Sequence, residues 1–218
     1  DAENLQRILA RGKPVKMKLV LTPQNIGQQT SGNVIAEVPG KDKALPPIVI
    51  ACHLDSWDLA TGAIDNAAGC GIVAAAAKRI MTLGGTARTI RILWAGAEEV
   101  GGFGGDAYAK KYADLKHGLA MESDFGADRV WQATFTLPDS TKSLAADITR
   151  ELADIGVGTG RGAAHGGSDV GAVIEAQNLA VIDLDQDGTR YFDIHHTPDD
   201  TFDKIDPEQL AQNVDAWT

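Results

Sequence analysis

The stretch Pro47-Ile48-Val49-Ile50-Ala51-Cys52-His53-Leu54-Asp55, with Asp65-Asn66-Ala67-Ala68-Gly69 and the alanine-rich run to Leu83 behind it, decides the fold. Residues 47–52 are apolar at every position, so no polar face alternates with them, and the run predicts a strand buried on both sides. Such a strand needs helices above and below, and residues 66–83 predict the first of them. The pattern then repeats outward as strand 89–95, helix 102–113 and strand 118–123. Strands and helices alternating at these lengths predict a mixed, mostly parallel sheet in a three-layer α/β/α sandwich.

The flanks extend this core. An amphipathic helix is expected over residues 1–9, then strands near Val15–Leu21 and Gly32–Val38, joined by a polar Thr/Pro/Gln/Gly segment that suggests a hairpin. Arg129–Thr136 alternates and predicts a strand. Ser140–Asp154 predicts a helix capped by Pro-Asp-Ser, Leu179–Leu184 a strand, and Asp206–Trp217 a closing helix with Pro207 in its first turn. With no repeat, linker or low-complexity run, residues 1–218 are expected to form one domain.

Acids and imidazoles gather where these elements end. His53 stands at the carboxyl end of the first buried strand, where open α/β sheets place their sites. Asp55, two residues on, would share its face in extended chain, accept the ring N–H and fix the tautomer. Asp65 precedes a helix, where unpaired amides and the positive dipole end would keep it ionised. Strand 89–95 runs into Glu98 and Glu99, and adjacent residues in extended chain point apart, so one can ligate while the other handles a proton. Strand 118–123 runs into Asp124. His195 and His196 follow in a polar loop. Two divalent cations roughly 3.5–4 Å apart need a bridging carboxylate, further ligands and room for water. Imidazoles mixed with carboxylates favour zinc over magnesium or calcium.

On these residues, together with His53-Leu54-Asp55-Ser56-Trp57-Asp58 and Tyr191-Phe192, the chain resembles the M28 family of di-zinc exopeptidases, and most of all its carboxypeptidase Q-like branch. The resemblance implies two Zn2+ per chain: His53 and Asp124 on one, Glu99 and His196 on the other, Asp65 bridging, and Glu98 as general base. It places the ligand directly before Thr-x-x-Asp-Thr, here Thr197, Asp200 and Thr201, which selects His196 over His195. It further implies a cis peptide bond after Asp65, short peptides as substrates, a homodimer, a secreted or periplasmic location, and N-terminal sequence ahead of residue 1. Asn66 stands where many relatives have Asp, and Val170 where many have His. Both departures bear on substrate contacts rather than on the ligands. Within the same fold the alternatives are a single-zinc glutaminyl cyclase-like enzyme, which the second ligand set argues against, and an inactive interaction module, which would have lost ligands.

Composition excludes other partners. Thirty acidic against twenty basic residues give a net charge of −10, which disfavours nucleic acid and anionic membranes. No apolar run approaches a membrane span, and no signal peptide is visible. Cys52 and Cys70 make no disulfide framework and are expected to be buried free thiols, with a bridge between strand and helix as the other possibility.

Other motifs have plainer explanations. Asp183–Gly188 opens like a calcium loop, but its twelfth position is Ile194 rather than a bidentate Glu. Ser168 lacks the glycine of a nucleophile elbow and is expected to cap a helix. Residues 156–162 follow a helix and are expected to form a mobile loop bordering substrate. His117 is expected at the surface and His165 in solvent. A free carboxyl terminus would need a cation such as Arg161 or Arg190, and a free amino terminus a carboxylate.

Overall fold

A computed structural model describes residues 2–218. They fall into two compact units that divide between Thr30 and Ser31. In the first, helix α1 (Ala2–Leu9) carries an i,i+4 ion pair between Glu3 and Arg7. No regular element follows up to Thr30, and Met17, Leu19, Val20, Leu21 and Ile26 are exposed. The expected strand at Val15–Leu21 and its hairpin therefore do not form. Alternation marks a strand's faces, but a strand exists only where a neighbour takes up its amides.

The second unit holds a seven-stranded sheet ordered β1-β3-β2-β4-β7-β5-β6. Its strands are β1 (Val34–Val38), β2 (Ile48–His53), β3 (Ile90–Ala95), β4 (Leu119–Glu122), β5 (Val130–Thr136), β6 (Gly158–Thr159) and β7 (Val181–Gln186). The central β3-β2-β4-β7 block is parallel, β1 joins it antiparallel through β3, and β5 antiparallel through β7. The residues 156–162 expected to be a loop contain β6, which pairs parallel with β5.

Strand alternation divides the core between two faces. Ile50 and Cys52 point into one cluster with Ile72, Val73 and Trp217, from helices α2 (Ala68–Thr82) and α7 (Pro207–Trp217). Val49 and Ala51 point into the other with Tyr108, Val170 and Val173, from α3 (Phe103–Lys111) and α5 (Ser168–Gln177). These are the three expected layers. Helices α4 (Ser143–Ala153) and α6 (Tyr191–Ile194) complete the set. α4 begins without a side-chain cap, against expectation, because a 3-10 turn at Asp139–Thr141 leads into it. α7 is capped as its sequence suggests: Asp206 accepts from the amides of Glu208 and Gln209, with Pro207 opening the helix.

Two side-chain expectations are corrected. Cys52 and Cys70 form a disulfide between β2 and α2, with Cα atoms 5.3 Å apart. Spacing along the chain could not show that the alternation of β2 and the phase of α2 bring the two thiols together. His117 is buried, not at the surface, and its Nε2 lies 2.7 Å from the Tyr108 hydroxyl. Its polar neighbours in sequence concealed a partner from α3.

Chain order places the site. β2 connects through α2 to β3 on one side, and the chain then crosses through α3 to β4 on the other. The carboxyl ends of β2, β3 and β4 thus surround a topological switch point, where the flanking connections diverge and leave a crevice.

Candidate metal centre

His53 ends β2 and is 1% exposed. Its Nδ1 is 2.9 Å from the backbone carbonyl of Asp55, which accepts the ring proton and turns Nε2 toward the crevice. The orienting group is thus the Asp55 carbonyl rather than its carboxylate, whose nearer oxygen is 3.7 Å away. The carboxylate instead holds the neighbouring turn, where Oδ1 accepts from the Glu98 amide at 3.0 Å and Oδ2 from the Glu99 amide at 3.1 Å. Those glutamates lie beyond the strand proper, after a bend in which Ala97 takes φ 63°.

Asp65 sits at a kink in the segment Ala63–Ala67, its own φ −133° and ψ 84° non-helical, entered through left-handed Gly62, where a Cβ would lie 2.7 Å from the Asp65 carbonyl oxygen. The Asp65–Asn66 peptide bond is cis, as the resemblance implies. Asp200, buried behind the turn, accepts from the amides of Ile64 at 2.7 Å and Asp65 at 3.2 Å. The expectation that Asp65 faces the helix amides is corrected: Asn66 does so, its Oδ1 accepting from Gly69 while its Nδ2 donates to the Ser123 carbonyl. The Asp65 carboxylate is left to span the crevice.

There it meets both imidazoles. Asp65 Oδ1 is 3.1 Å from His53 Nε2, which is also 3.2 Å from Asp124 Oδ1. Asp65 Oδ2 is 3.0 Å from His196 Nε2, which is also 3.1 Å from Glu99 Oε2. Ligand atoms about 2.0–2.2 Å from a tetrahedral zinc stand roughly 3.3–3.5 Å apart, close to these separations. His53, Asp65 and Glu99 offer ligand atoms mutually within 4.8 Å. His195 lines the same cleft but makes neither of these carboxylate contacts, and its ring stacks on Tyr191 at 4.6 Å between ring centroids.

The cleft measures about 580 Å³ and is lined by Asp65, Glu98, Glu99, Asp106, Asp124, His195 and His196, with no lysine or arginine among its described lining residues. Its electrostatics reflect that imbalance. Burial works to lower the His53 pKa, but hydrogen bonds to Asp124 and Asp65 and their charges outweigh it and hold the ring up at about 11. Burial would raise Asp65, yet the His53 hydrogen bond and the charges of His53 and His196 keep it low. Glu99 is raised, by burial and then by the charge of Asp65. Tyr191, raised by burial and by Asp65, Asp124 and Glu99, presents a protonated hydroxyl to the same space. The donor set, the separations and the surplus of negative charge all fit a pair of divalent cations.

Several functional contacts are not apparent from sequence. Ser168 is the first residue of α5, not its cap, which is Gly167; its hydroxyl donates to Glu98 Oε1 at 2.7 Å. The Trp57 indole donates to Glu99 Oε2 at 2.6 Å. Arg190 is engaged by Asp128 at 2.5–2.6 Å and by the Lys204 carbonyl, so it is not free for a substrate carboxylate, while Arg161 lies exposed. His165 is exposed as expected. A second cavity of about 450 Å³ shares Asp124 and Ser168 with the cleft and is lined by Phe125, Trp131, Asp183 and Asp185 among others. Trp131 reaches it from a bulge in β5.

The chain is similar to several known proteins. Bovine (Bos taurus) carboxypeptidase Q is 30% identical over 220 residues, covering 100% of this chain and 46% of that protein, so the chain spans about half the length of this curated relative. A crystal structure of a peptidase M28 precursor from Shewanella amazonensis superposes with a TM-score of 0.80 at 47% identity, over 85% of this chain and 42% of that one. BSAP, a zinc aminopeptidase from Bacillus subtilis, shares the fold with a TM-score of 0.63 at 20% identity, over 85% and 48% of the respective chains. Residues 33–218 match the family model described as peptidase family M28, and the chain belongs to that family.

Proposed function

We propose that this chain carries the catalytic site of a di-zinc exopeptidase that hydrolyses short peptides. The observation behind this reading is that one carboxylate is divided between two imidazoles, Asp65 Oδ1 toward His53 and Oδ2 toward His196. His53 and Asp124 would hold one zinc, Glu99 and His196 the other, with Asp65 common to both. Bound there, the two ions would acidify a water toward neutrality and polarise the scissile carbonyl.

The chain's own groups do the rest. Glu98, free of ligand duty, takes the proton that water gives up as its oxygen bonds to the carbonyl carbon. It returns that proton to the nitrogen as the C–N bond breaks. Ser168 holds one oxygen of Glu98, and Asp55 holds its backbone amide, so the base keeps a fixed position. The Tyr191 hydroxyl, protonated at neutral pH, is available to donate to oxygen in the cleft.

A cleft lined by acids and lacking lysine and arginine suits a free α-amino group better than a free carboxylate. We therefore favour substrates with an open amino terminus, dipeptides included. The Cys52–Cys70 disulfide agrees with an oxidising, secreted or periplasmic setting. A panel of dipeptides, N-acetylated dipeptides and amino-acid amides, assayed with zinc, tests the reading. Hydrolysis of the first and third with loss of the second is expected. Hydrolysis of N-blocked substrates at equal rate would overturn the polarity, and no peptide hydrolysis at all would overturn the function.

A further inference from the structure

We infer that Trp57 is a positioning residue for one half of the metal centre: through its indole N–H it sets the affinity of the Glu99–His196 site and leaves the His53–Asp124 site alone. This rests on the two-metal reading above.

The two halves are supported unequally. On the first side, His53 is 1% exposed and its ring is fixed by a backbone carbonyl at 2.9 Å, independent of any side chain. On the second, the His196 side chain is 40% exposed and its backbone takes φ 57° in a loop. Among the described residues no carbonyl or carboxylate holds its second ring nitrogen. Trp57 takes over that support. Its ring lies 5.3 Å from the His196 ring, inclined at 41°, and its Nε1 donates at 2.6 Å to Glu99 Oε2.

That same oxygen lies 3.1 Å from His196 Nε2, while Glu99 Oε1 is buried with no partner. The indole therefore selects which Glu99 oxygen faces the imidazole and restrains both ligands at once. Trp57 is itself 52% exposed, far more than a core tryptophan, so burying its own surface does not explain its position. A carboxylate ligand held by a fixed donor loses less rotational freedom on binding a metal, and removing such a partner typically weakens affinity about 10–100-fold.

The test compares wild type with Trp57→Phe, which keeps a smaller aromatic ring at this position and removes the N–H donor. Zn2+ affinities are measured stepwise by competition with a chromophoric chelator. The expected result is a second binding step weakened about 10–100-fold and a first step within about threefold of wild type, the first step also serving as the control for folding. In parallel, Co2+ titration of the wild type followed by tryptophan emission should show a quench that tracks the second equivalent; a quench complete at the first equivalent would place Trp57 beside the other site and overturn its role. An unchanged second step, or equal weakening of both, overturns the role of Trp57 while leaving two-metal binding intact. A wild type that saturates at one equivalent overturns both.

Discussion

Replacing Asp55 separates two accounts of how the site is held. Its carboxylate accepts from the amides of Glu98 and Glu99, while its backbone carbonyl orients His53. Asp55→Ala keeps the carbonyl and removes both carboxylate contacts. A hydrogen bond to a charged group contributes about 1.5–3 kcal/mol, so two would give roughly 3–6 kcal/mol if fully buried. The side chain is 29% exposed, and water can reach the vacated amides, so we expect about 2–3 kcal/mol, read by urea unfolding of the metal-free protein. Asp55→Asn keeps one acceptor oxygen but turns an NH2 group toward an amide donor, and should cost about 1–3 kcal/mol. The functional consequence is directional. The turn carrying Glu98 and Glu99 loosens, so turnover should fall by about 10² or more and the Glu99–His196 metal should weaken, while the His53–Asp124 metal is kept. Loss confined to the His53 site would show that the carboxylate acts on the imidazole after all. Wild-type stability and turnover in both variants would refute the reasoning outright.

Three further outcomes are expected. Glu98→Gln should retain zinc yet lose about 10²–10⁴ in rate, because an amide cannot accept the proton of water; near-normal turnover with zinc bound would remove Glu98 from the role of base. Replacing both Cys52 and Cys70 with serine opens a loop of sequence separation 18 and should lower the unfolding free energy by about 3 kcal/mol under oxidising conditions, and an unchanged unfolding midpoint would contradict this. Asp169 is fully buried with neither carboxylate oxygen paired; burial first, and then the charges of Glu98, Asp124 and Asp55 against the opposing pull of His53, push it up to about 7. The folded chain thus keeps a proton that the unfolded chain releases in the ordinary carboxylate range, so stability declines as pH rises toward and through 7. Asp169→Asn should therefore gain on wild type between pH 5 and 8 in urea unfolding, whereas parallel pH profiles would refute the assignment.

How much of this is legible in the sequence follows from the range of each interaction. Residues 47–53 and 89–95 announce themselves because burial on both faces leaves no polar position, and α2, α3 and α7 because helical periodicity is local. Glu99 and Asp124 can be singled out because each stands just past a strand, Asp65 because it stands just before a helix, and His196 through the family resemblance. The supporting groups cannot. Asp200 reaches the turn at Ile64 and Asp65 across 136 and 135 residues, and Ser168 reaches Glu98 across 70. His117 and the two cysteines escape a sequence reading for the same reason: burial and pairing depend on which helix comes to lie over which strand. At Val15–Leu21 the local pattern is present, but it fixes only the faces of a strand and not its partner. Asp55 stands out in sequence as a site residue, yet only the fold shows that its carbonyl meets His53 while its carboxylate meets the amides of Glu98 and Glu99.

The central claim is that Asp65 joins two metals, and diffraction at the zinc absorption edge from zinc-equilibrated crystals addresses it most directly. The account predicts two anomalous peaks per chain roughly 3.5–4 Å apart, one between His53 and Asp124, the other between Glu99 and His196, with one Asp65 oxygen on each. A single peak at saturation, or two peaks with Asp65 bound to only one, would contradict it.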